Sequence, residues 1–205
     1  SGYGGAARYL AEKFKCKIVC LNLSETENER NRELNKKMNL NEFIEVVDAD
    51  FAEIPYSQDS FDIVWSEDAI LHSPKKEKVF QEVARILKPG GDFIFTDPMQ
   101  ADNVPAGVLQ PVLDRIHLQS MGSFSQYTKL ANQLNLKKIK IEDLSTHLTR
   151  HYTRVKEELI HKKQLLEGHV SESYSEKMLS GLQHWIEAGK KGYLAWGILH
   201  FQKPA

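Results

Sequence analysis

The residues best placed to do chemistry in this chain are acids at the ends of apolar runs. Phe61-Asp62-Ile63-Val64-Trp65 is β-branched and aromatic, and Ser66-Glu67-Asp68 follows it directly. Phe93-Ile94-Phe95-Thr96-Asp97 repeats the pattern and runs on through Pro98 to Met99. Ligands of parallel sheets sit beyond the carboxyl ends of the strands, so Glu67, Asp68, Asp97 and Met99 are expected to face one pocket. A further acid, Asp50, follows the strand-like run Phe43 to Asp48. It suits a ribose hydroxyl or a purine amino group, with a solvated turn carboxylate as the alternative. At the start of the chain, Ser1-Gly2-Tyr3-Gly4-Gly5 runs straight into a helical pattern. Glycines there let a ligand approach the free amides of a helix start, although such a string also serves as a plain loop.

Hydrophobic spacing defines the elements that must hold these groups. Tyr3, Ala6, Ala7, Leu10, Ala11 and Phe14 mark the apolar face of a first helix, and Lys17 to Asn22 reads as a strand. Ser24-Glu25-Thr26-Glu27 has capping-box spacing and opens a helix to about Met38, polar except for Leu34 and Met38 and so expected at the surface. Ser73-Pro74 reads as a cap followed by a proline at the first helical position. Val79, Phe80, Val83, Ile86 and Leu87 form that helix's apolar stripe, and Lys88-Pro89-Gly90-Gly91 ends it. Two strands joined by a helix imply a right-handed parallel crossover. The order turn, helix, strand, helix, strand, strand, helix, strand defines a doubly wound α/β sheet.

Beyond Met99, the spacing predicts helices over 104–118, 123–134, 149–166 and 172–188, a strand over 138–143 and a last strand over 193–202. Gly189 and Gly192 are read as the end of the last helix. The chain is then a single domain over 1–205, with segments 104–135 and 149–189 as a helical cap or insertion able to roof a pocket. In a doubly wound sheet the glycine turn follows a central strand, and none precedes Ser1. The first strand is therefore expected to be missing from this chain, as in an N-terminally truncated domain. A direct ladder between Lys17–Asn22 and Phe61–Trp65 would rule that out.

Composition restricts the partners. Lysine and arginine number 27 against 28 acidic residues, and basic pairs such as Lys36-Lys37 and Lys137-Lys138 are dispersed, so no nucleic-acid groove is expected. No apolar run approaches the roughly 20 residues of a bilayer span, and no membrane association is expected. Cys16 and Cys20 lack Cys-x-x-Cys spacing and read as reduced structural cysteines, which fits a cytoplasmic location. His147 and His151 stand one helical turn apart without a matching acid, so no metal site is expected. A monomer and a homodimer are both compatible with these features.

Gly2-Tyr3-Gly4-Gly5-Ala6-Ala7-Arg8, Asp50-Phe51, Phe61 to Ser66 and Leu87-Lys88-Pro89-Gly90-Gly91, in that order, resemble the class I S-adenosylmethionine-dependent methyltransferases. Four longer strings narrow the likeness: Trp65 to Ser73, Thr96-Asp97-Pro98-Met99, Gln110 to His117 and Gly181-Leu182-Gln183-His184-Trp185. With them the chain resembles the sarcosine/dimethylglycine N-methyltransferases of glycine betaine synthesis over essentially its whole length. The resemblance implies a Rossmann-like sheet and S-adenosylmethionine as cofactor. It places Gly2, Tyr3 and Gly4 beside the methionyl part, Asn22 and Leu23 at the ribose, Asp50 with the Phe51 amide at the adenine, and Ser66 and Glu67 on the same cofactor wall. Asn22 stands where many class I enzymes have an acid, and a carboxamide still hydrogen-bonds a ribose hydroxyl.

The chemistry so implied is a direct displacement, in which the protein mainly holds nitrogen, methyl and sulfur in line. A protonated amine must first lose its proton, which makes His72 and Asp68 the leading candidate catalytic groups, with His117 third. His72 could equally tie the strand end to the following helix. The small amino-acid amine carries a carboxylate, for which Arg115 is the candidate partner, and Trp65 or Tyr3 could offer an aromatic face to a methylated ammonium, with core packing an equal explanation of Trp65. Pro98 and Met99 are expected as pocket walls that separate tertiary from primary amines. A basic phosphate site or a long apolar channel would instead mark a phosphoethanolamine, sterol or quinone-precursor methyltransferase, and a degenerate cofactor site a non-catalytic binding module.

Overall fold

The computed structural model describes residues 1–166 and 168–205. The first unit is helix α1 (Gly5–Phe14), strand β1 (Ile18–Asn22), helix α2 (Glu25–Lys37) and strand β2 (Ile44–Asp48). β1 and β2 pair in parallel, with Asn22 opposite Asp48 at the carboxyl ends. Strand β3 (Phe61–Glu67), a 3-10 turn at Ile70–His72, helix α3 (Lys76–Ile86) and strand β4 (Leu87–Gln100) come next, and β3 and β4 are again parallel. The chain continues as α4 (Gln110–Arg115), α5 (Phe124–Gln133), β5 (Lys137–Asp143), α6 (Ser145–His161), α7 (Lys163–Leu166), α8 (Glu172–Lys190) and β6 (Leu194–Gln202). The second sheet has the order β3-β4-β6-β5, with β6 antiparallel to both neighbours. β1 and β3 share no ladder. The doubly wound α/β arrangement is the one the spacing predicts.

Three apolar clusters hold these elements. In the largest, Phe80 of α3 is wholly buried among Phe93 and Phe95 of β4 and Tyr127 of α5, with ring centroids 5.4, 5.8 and 5.6 Å away. Each such ring contributes about 1.5–3 kcal/mol by leaving water, which fixes α3 and α5 on one face of the sheet. A second cluster joins Val112 and Leu113 of α4, Leu148 of α6, Trp185 and Ala188 of α8 and Leu194 of β6. The third, formed by Ala7, Ala11, Cys20, Leu40 and Ile44, seals α1 against β1 and β2.

Several boundaries and faces differ from the expectations. The helix expected over 104–118 shrinks to Gln110–Arg115, because the Ala101 to Gly107 stretch, which contains Pro105, is spent in turns. Ser73 does not cap α3: it ends the 3-10 turn, its Oγ accepts from Lys75 N, and the helix starts at Lys76. Gly189 lies inside α8, where a Cβ would overlap the Thr149 side chain, so it lets α6 and α8 approach closely while Gly192 (φ 72°) lies just beyond the helix. The long helix expected over 149–166 begins earlier, at Ser145, and breaks at Lys162 into α6 and α7; Glu167, inside the expected cap segment 149–189, lies outside the described residues. α2 does not turn a wholly polar surface to solvent. Asn28, Asn31 and Asn35 form a buried stripe on it, and Met38 is exposed.

Candidate active site

The glycine turn sits against the ends of the parallel strands. Gly2 (φ 49°) and Gly4 (φ 73°) both occupy the left-handed region, and a Cβ at Gly4 would overlap the Asn31 carboxamide, whereas the space above Gly2 is open. The amine of Ser1 reaches the Leu21 carbonyl at 3.4 Å. The Ser1 nitrogen lies close enough to Cys20, Glu27 and Glu67 to feel their charges, so the tips of β1 and β3 meet at the turn. The asparagine stripe locks this corner. Asn28 donates to the Asn22 carbonyl (2.9 Å) and to Asp48 Oδ1 (2.8 Å), and Arg8 donates from α1 to Asn31 Oδ1 (3.0 Å) and Asn35 Oδ1 (3.1 Å). The Asn22 carboxamide donates to Glu27 Oε2 at 2.8 Å, leaving its oxygen as an acceptor at the rim. Asp50 Oδ1 takes the Ala52 amide at 2.8 Å, and its residue lines a cavity of about 310 Å³ with Ala52, Glu53, Lys75, Lys78 and Glu82. A larger, open groove of about 610 Å³, over Phe124, Thr128 and Gln133 of α5, contains none of these rim residues.

A second group of residues forms beside β3. Asp68 (φ 48°) leaves that strand, its amide donates to the Thr96 carbonyl, and its Oδ1 accepts two hydrogen bonds of 2.8 Å, from Thr96 Oγ1 and from Trp196 Nε1 on β6. Trp196 faces Pro98 across the β4–β6 ladder. Tyr152 of α6 packs into the same apolar cluster, its ring 4.6 Å from that of Trp185 on α8. Burial pushes its phenol above the ordinary pKa, the Arg115 guanidinium opposes this and the Asp68 carboxylate reinforces it, so Tyr152 lies in the field of both charges. Arg115 is anchored on α8, where Nη2 contacts Met178 Sδ at 3.3 Å and a Cβ at Gly181 would overlap the guanidinium stem.

Asp97 is fully buried. Its Oδ1 accepts the Leu71 amide at 3.0 Å, and Tyr127 donates its hydroxyl to Oδ2. Burial pushes its carboxyl up to about 7 against those two hydrogen bonds; Asp68 adds to the rise and Lys76 opposes it. Lys76 itself is buried and donates to the Leu71 and Ser73 carbonyls at 3.1 and 2.8 Å. This network pins the 3-10 turn that carries the exposed His72.

The structure brings Gly2, Gly4, Asn22 and Glu67 to one rim, with Asp68 just past the end of β3 and Asp50 just past the end of β2. Sequence reasoning misplaces others. Asp97 and Met99 point into the core with Phe93 and Phe95, and Met99 is not a pocket wall. Ser66 pairs with Phe95 on that inward side of β3, while Glu67 pairs with Thr96. Trp65 and Ile63, expected in a buried strand, are 52% and 57% exposed. Tyr3 and Leu23 are exposed at the rim, and Phe14 is also exposed. Phe51 is half-buried against the main core, and His117 is exposed with φ 54° beyond α4. Tyr152, Trp196, Thr96 and the asparagine stripe were missed. The Asn28, Asn31, Asn35 spacing was a readable helical stripe; the aromatic pair had no local signal.

A parallel sheet with a glycine turn at its carboxyl rim is the architecture of methyltransferases, and residues 1–95 match the family model described as a methyltransferase domain. The chain belongs to the sarcosine/dimethylglycine N-methyltransferase family. It is 53% identical to the sarcosine/dimethylglycine N-methyltransferase of Halorhodospira halochloris, over 99% of this chain and 73% of that protein. A crystal structure assigned to a sarcosine dimethylglycine methyltransferase from Galdieria sulphuraria superposes with a TM-score of 0.94 at 44% identity, covering 99% of this chain and 76% of that one. A phosphoethanolamine N-methyltransferase 2 from Haemonchus contortus, in complex with phosphomonomethylethanolamine and S-adenosylhomocysteine, shares the fold at 20% identity and a TM-score of 0.89, covering 100% of this chain and 48% of that one. Among the described residues no helix is long and apolar enough to cross a membrane.

Proposed function

We propose that this protein transfers methyl groups from S-adenosylmethionine to the amine of sarcosine and then of dimethylglycine, giving glycine betaine. The observation that carries the reading is the whole-chain likeness to sarcosine/dimethylglycine N-methyltransferases; beside it, Tyr152 lies in the field of both the Asp68 carboxylate and the Arg115 guanidinium. An N-methylated amino acid is a zwitterion, and a carboxylate and a guanidinium that both act on one aromatic residue suit its two ends.

The glycine corner fits the cofactor: open space lies over Gly2, the Asn22 oxygen is available to a ribose hydroxyl, and Asp50 with the Phe51 amide stands ready for the adenine. When bound, S-adenosylmethionine supplies a methyl group on a positively charged sulfur. Glu67 and Glu27 near the turn favour that charge, and Tyr3, Gly4, Leu23 and Ser66 complete the wall. The substrate amine gives its proton to Asp68 Oδ2, which has no hydrogen-bond donor on it among the described residues, or to His72 on the 3-10 turn that follows. The nitrogen lone pair then forms the new bond to the methyl carbon as the carbon–sulfur bond breaks toward sulfur. Arg115 holds the substrate carboxylate, Pro98, buried opposite Trp196, backs the wall, and His117 lies at the outer edge.

Segments 104–135 and 149–189 serve as the cap over this site. The free thiols Cys16 and Cys20 suit a reducing cytoplasm, where the enzyme acts as a monomer or homodimer on its small substrate. The test is a methyl-transfer assay of the full-length protein with glycine, sarcosine and dimethylglycine, beside calorimetric titration with S-adenosylhomocysteine. Turnover of sarcosine and dimethylglycine is expected. Cofactor binding without turnover of either amine would remove the substrate assignment, and no binding would remove the enzyme reading altogether.

A further inference from the structure

We propose that Tyr152 and Trp196 are the binding residues that read the methylation state of the amine, so that the pocket prefers dimethylglycine to glycine and retains the quaternary product. The inference rests on the amino-acid reading of the site. Trp196 is held by its own hydrogen bond to Asp68, at 2.8 Å, so its indole is fixed beside the carboxylate that faces the ammonium. Tyr152 is fixed by its ring contact with Trp185, at 4.6 Å, and by the cluster that also contains Trp196 and Leu71. Both side chains come from elements outside the cofactor corner, α6 and β6, and Trp196 lies opposite Pro98 on the strand that closes the sheet.

The physical argument concerns what each added methyl does to the ammonium. A primary ammonium carries three N–H donors and is strongly hydrated, so a carboxylate and water satisfy it best. Dimethylglycine keeps one N–H for Asp68 and presents two methyl groups that share the positive charge, and betaine keeps none. Such groups lose little on leaving water and gain on an aromatic face. Asp68 Oδ1 is already occupied by Thr96 and Trp196, which leaves Oδ2 for a single N–H and the two rings for the methyl groups. Trp65, the aromatic residue nearest in sequence to Asp68, is half exposed, and among the described residues its indole makes no hydrogen bond.

The experiment compares KM and kcat for sarcosine and dimethylglycine, and inhibition by betaine, in the full-length wild type, Tyr152→Leu and Tyr152→Phe, with S-adenosylhomocysteine affinity as the check on fold. Tyr152→Leu is expected to raise KM for dimethylglycine about five- to thirtyfold, the range of a desolvated cation–aromatic contact. It should raise KM for sarcosine less, weaken betaine inhibition in parallel and leave cofactor affinity alone. Tyr152→Phe keeps the ring and should keep the preference. If Tyr152→Leu does not fold, the reading is taken from fluorescence: betaine added with S-adenosylhomocysteine should quench wild-type tryptophan emission, glycine should not, and Trp196→Phe should abolish the quench. Equal KM changes for both amines, loss of preference in Tyr152→Phe, or a quench unchanged in Trp196→Phe overturns the aromatic assignment alone. A wild type that binds S-adenosylhomocysteine and methylates neither amine overturns the underlying reading, and this one with it.

Discussion

Asp97→Asn isolates the cost of placing a carboxyl group in the core. In the folded protein that group titrates at about 7, against an ordinary value of 3.8, chiefly because it is buried. The folded state thus binds its proton more tightly than the unfolded state does. The stability this contributes is complete below pH 3.8 and is lost as pH rises through about 7. A displacement of about three units at 1.36 kcal/mol each is worth about 4 kcal/mol over the whole window. Asparagine keeps an acceptor for the Leu71 amide and a donor toward Tyr127, yet does not ionise. Urea unfolding of wild type and variant, followed by far-ultraviolet circular dichroism from pH 5 to 8, gives the difference free of other titrating groups. The wild type should lose about 2–3 kcal/mol relative to the variant between pH 5 and 8, with the loss levelling off above 7. Parallel stability curves for the two proteins would refute the reasoning, since Asp97 would then titrate alike in both states.

The remaining expectations concern the site and its corner. Gly4→Ala must hold φ 73° and push aside Asn31, so it should lower stability by about 1–3 kcal/mol, seen as a fall of several degrees in melting temperature, and weaken S-adenosylhomocysteine binding. Arg115→Ala should raise KM for dimethylglycine about ten- to a hundredfold while calorimetry finds unchanged S-adenosylhomocysteine affinity. Asp50→Ala should do the reverse, weakening S-adenosylhomocysteine binding about tenfold with little change in KM for the amine at saturating cofactor.

How far the sequence carried depended on whether a partner was local. The parallel order came from apolar spacing alone: Val79, Phe80 and Val83 recur at helical intervals, and Phe93 and Phe95 of the strand that follows have nowhere to go but the core. Strict alternation along β4 also contained the answer that strand-end logic overrode. Asp97 and Met99 share parity with Phe93 and Phe95, so they belong inside, while Thr96 and Pro98 face the other way. Tyr127, which stabilises Asp97 there, lies 30 residues on and carries no local sign of the contact. Trp65 failed for the opposite reason, because composition reports what a strand could bury and not whether another element covers it. Tyr152 sits in a helix whose charges dominate its pattern, and only the packing of α6 on α8 turns it toward Trp185.

The two ends of the proposed site hang on different parts of the molecule, and this bears on how the reaction can be tuned. Gly2, Gly4, Asn22 and Asp50 belong to the α1–β1–α2–β2 unit, which the buried asparagine stripe and Arg8 bind into one body. Asp68, Trp196, Tyr152 and Arg115 belong to the four-stranded sheet and to the helices packed beside it, and among the described residues none of their hydrogen-bond partners is shared with the first group. Changes at well-separated sites without common partners act independently on free energy. A substitution in the roof can therefore alter which amine is accepted while the methyl donor is held as before, which is the separation that the Arg115 and Asp50 variants measure. The two parts meet where β3 ends, because Glu67, next to Asp68 in the chain, reaches toward the glycine turn.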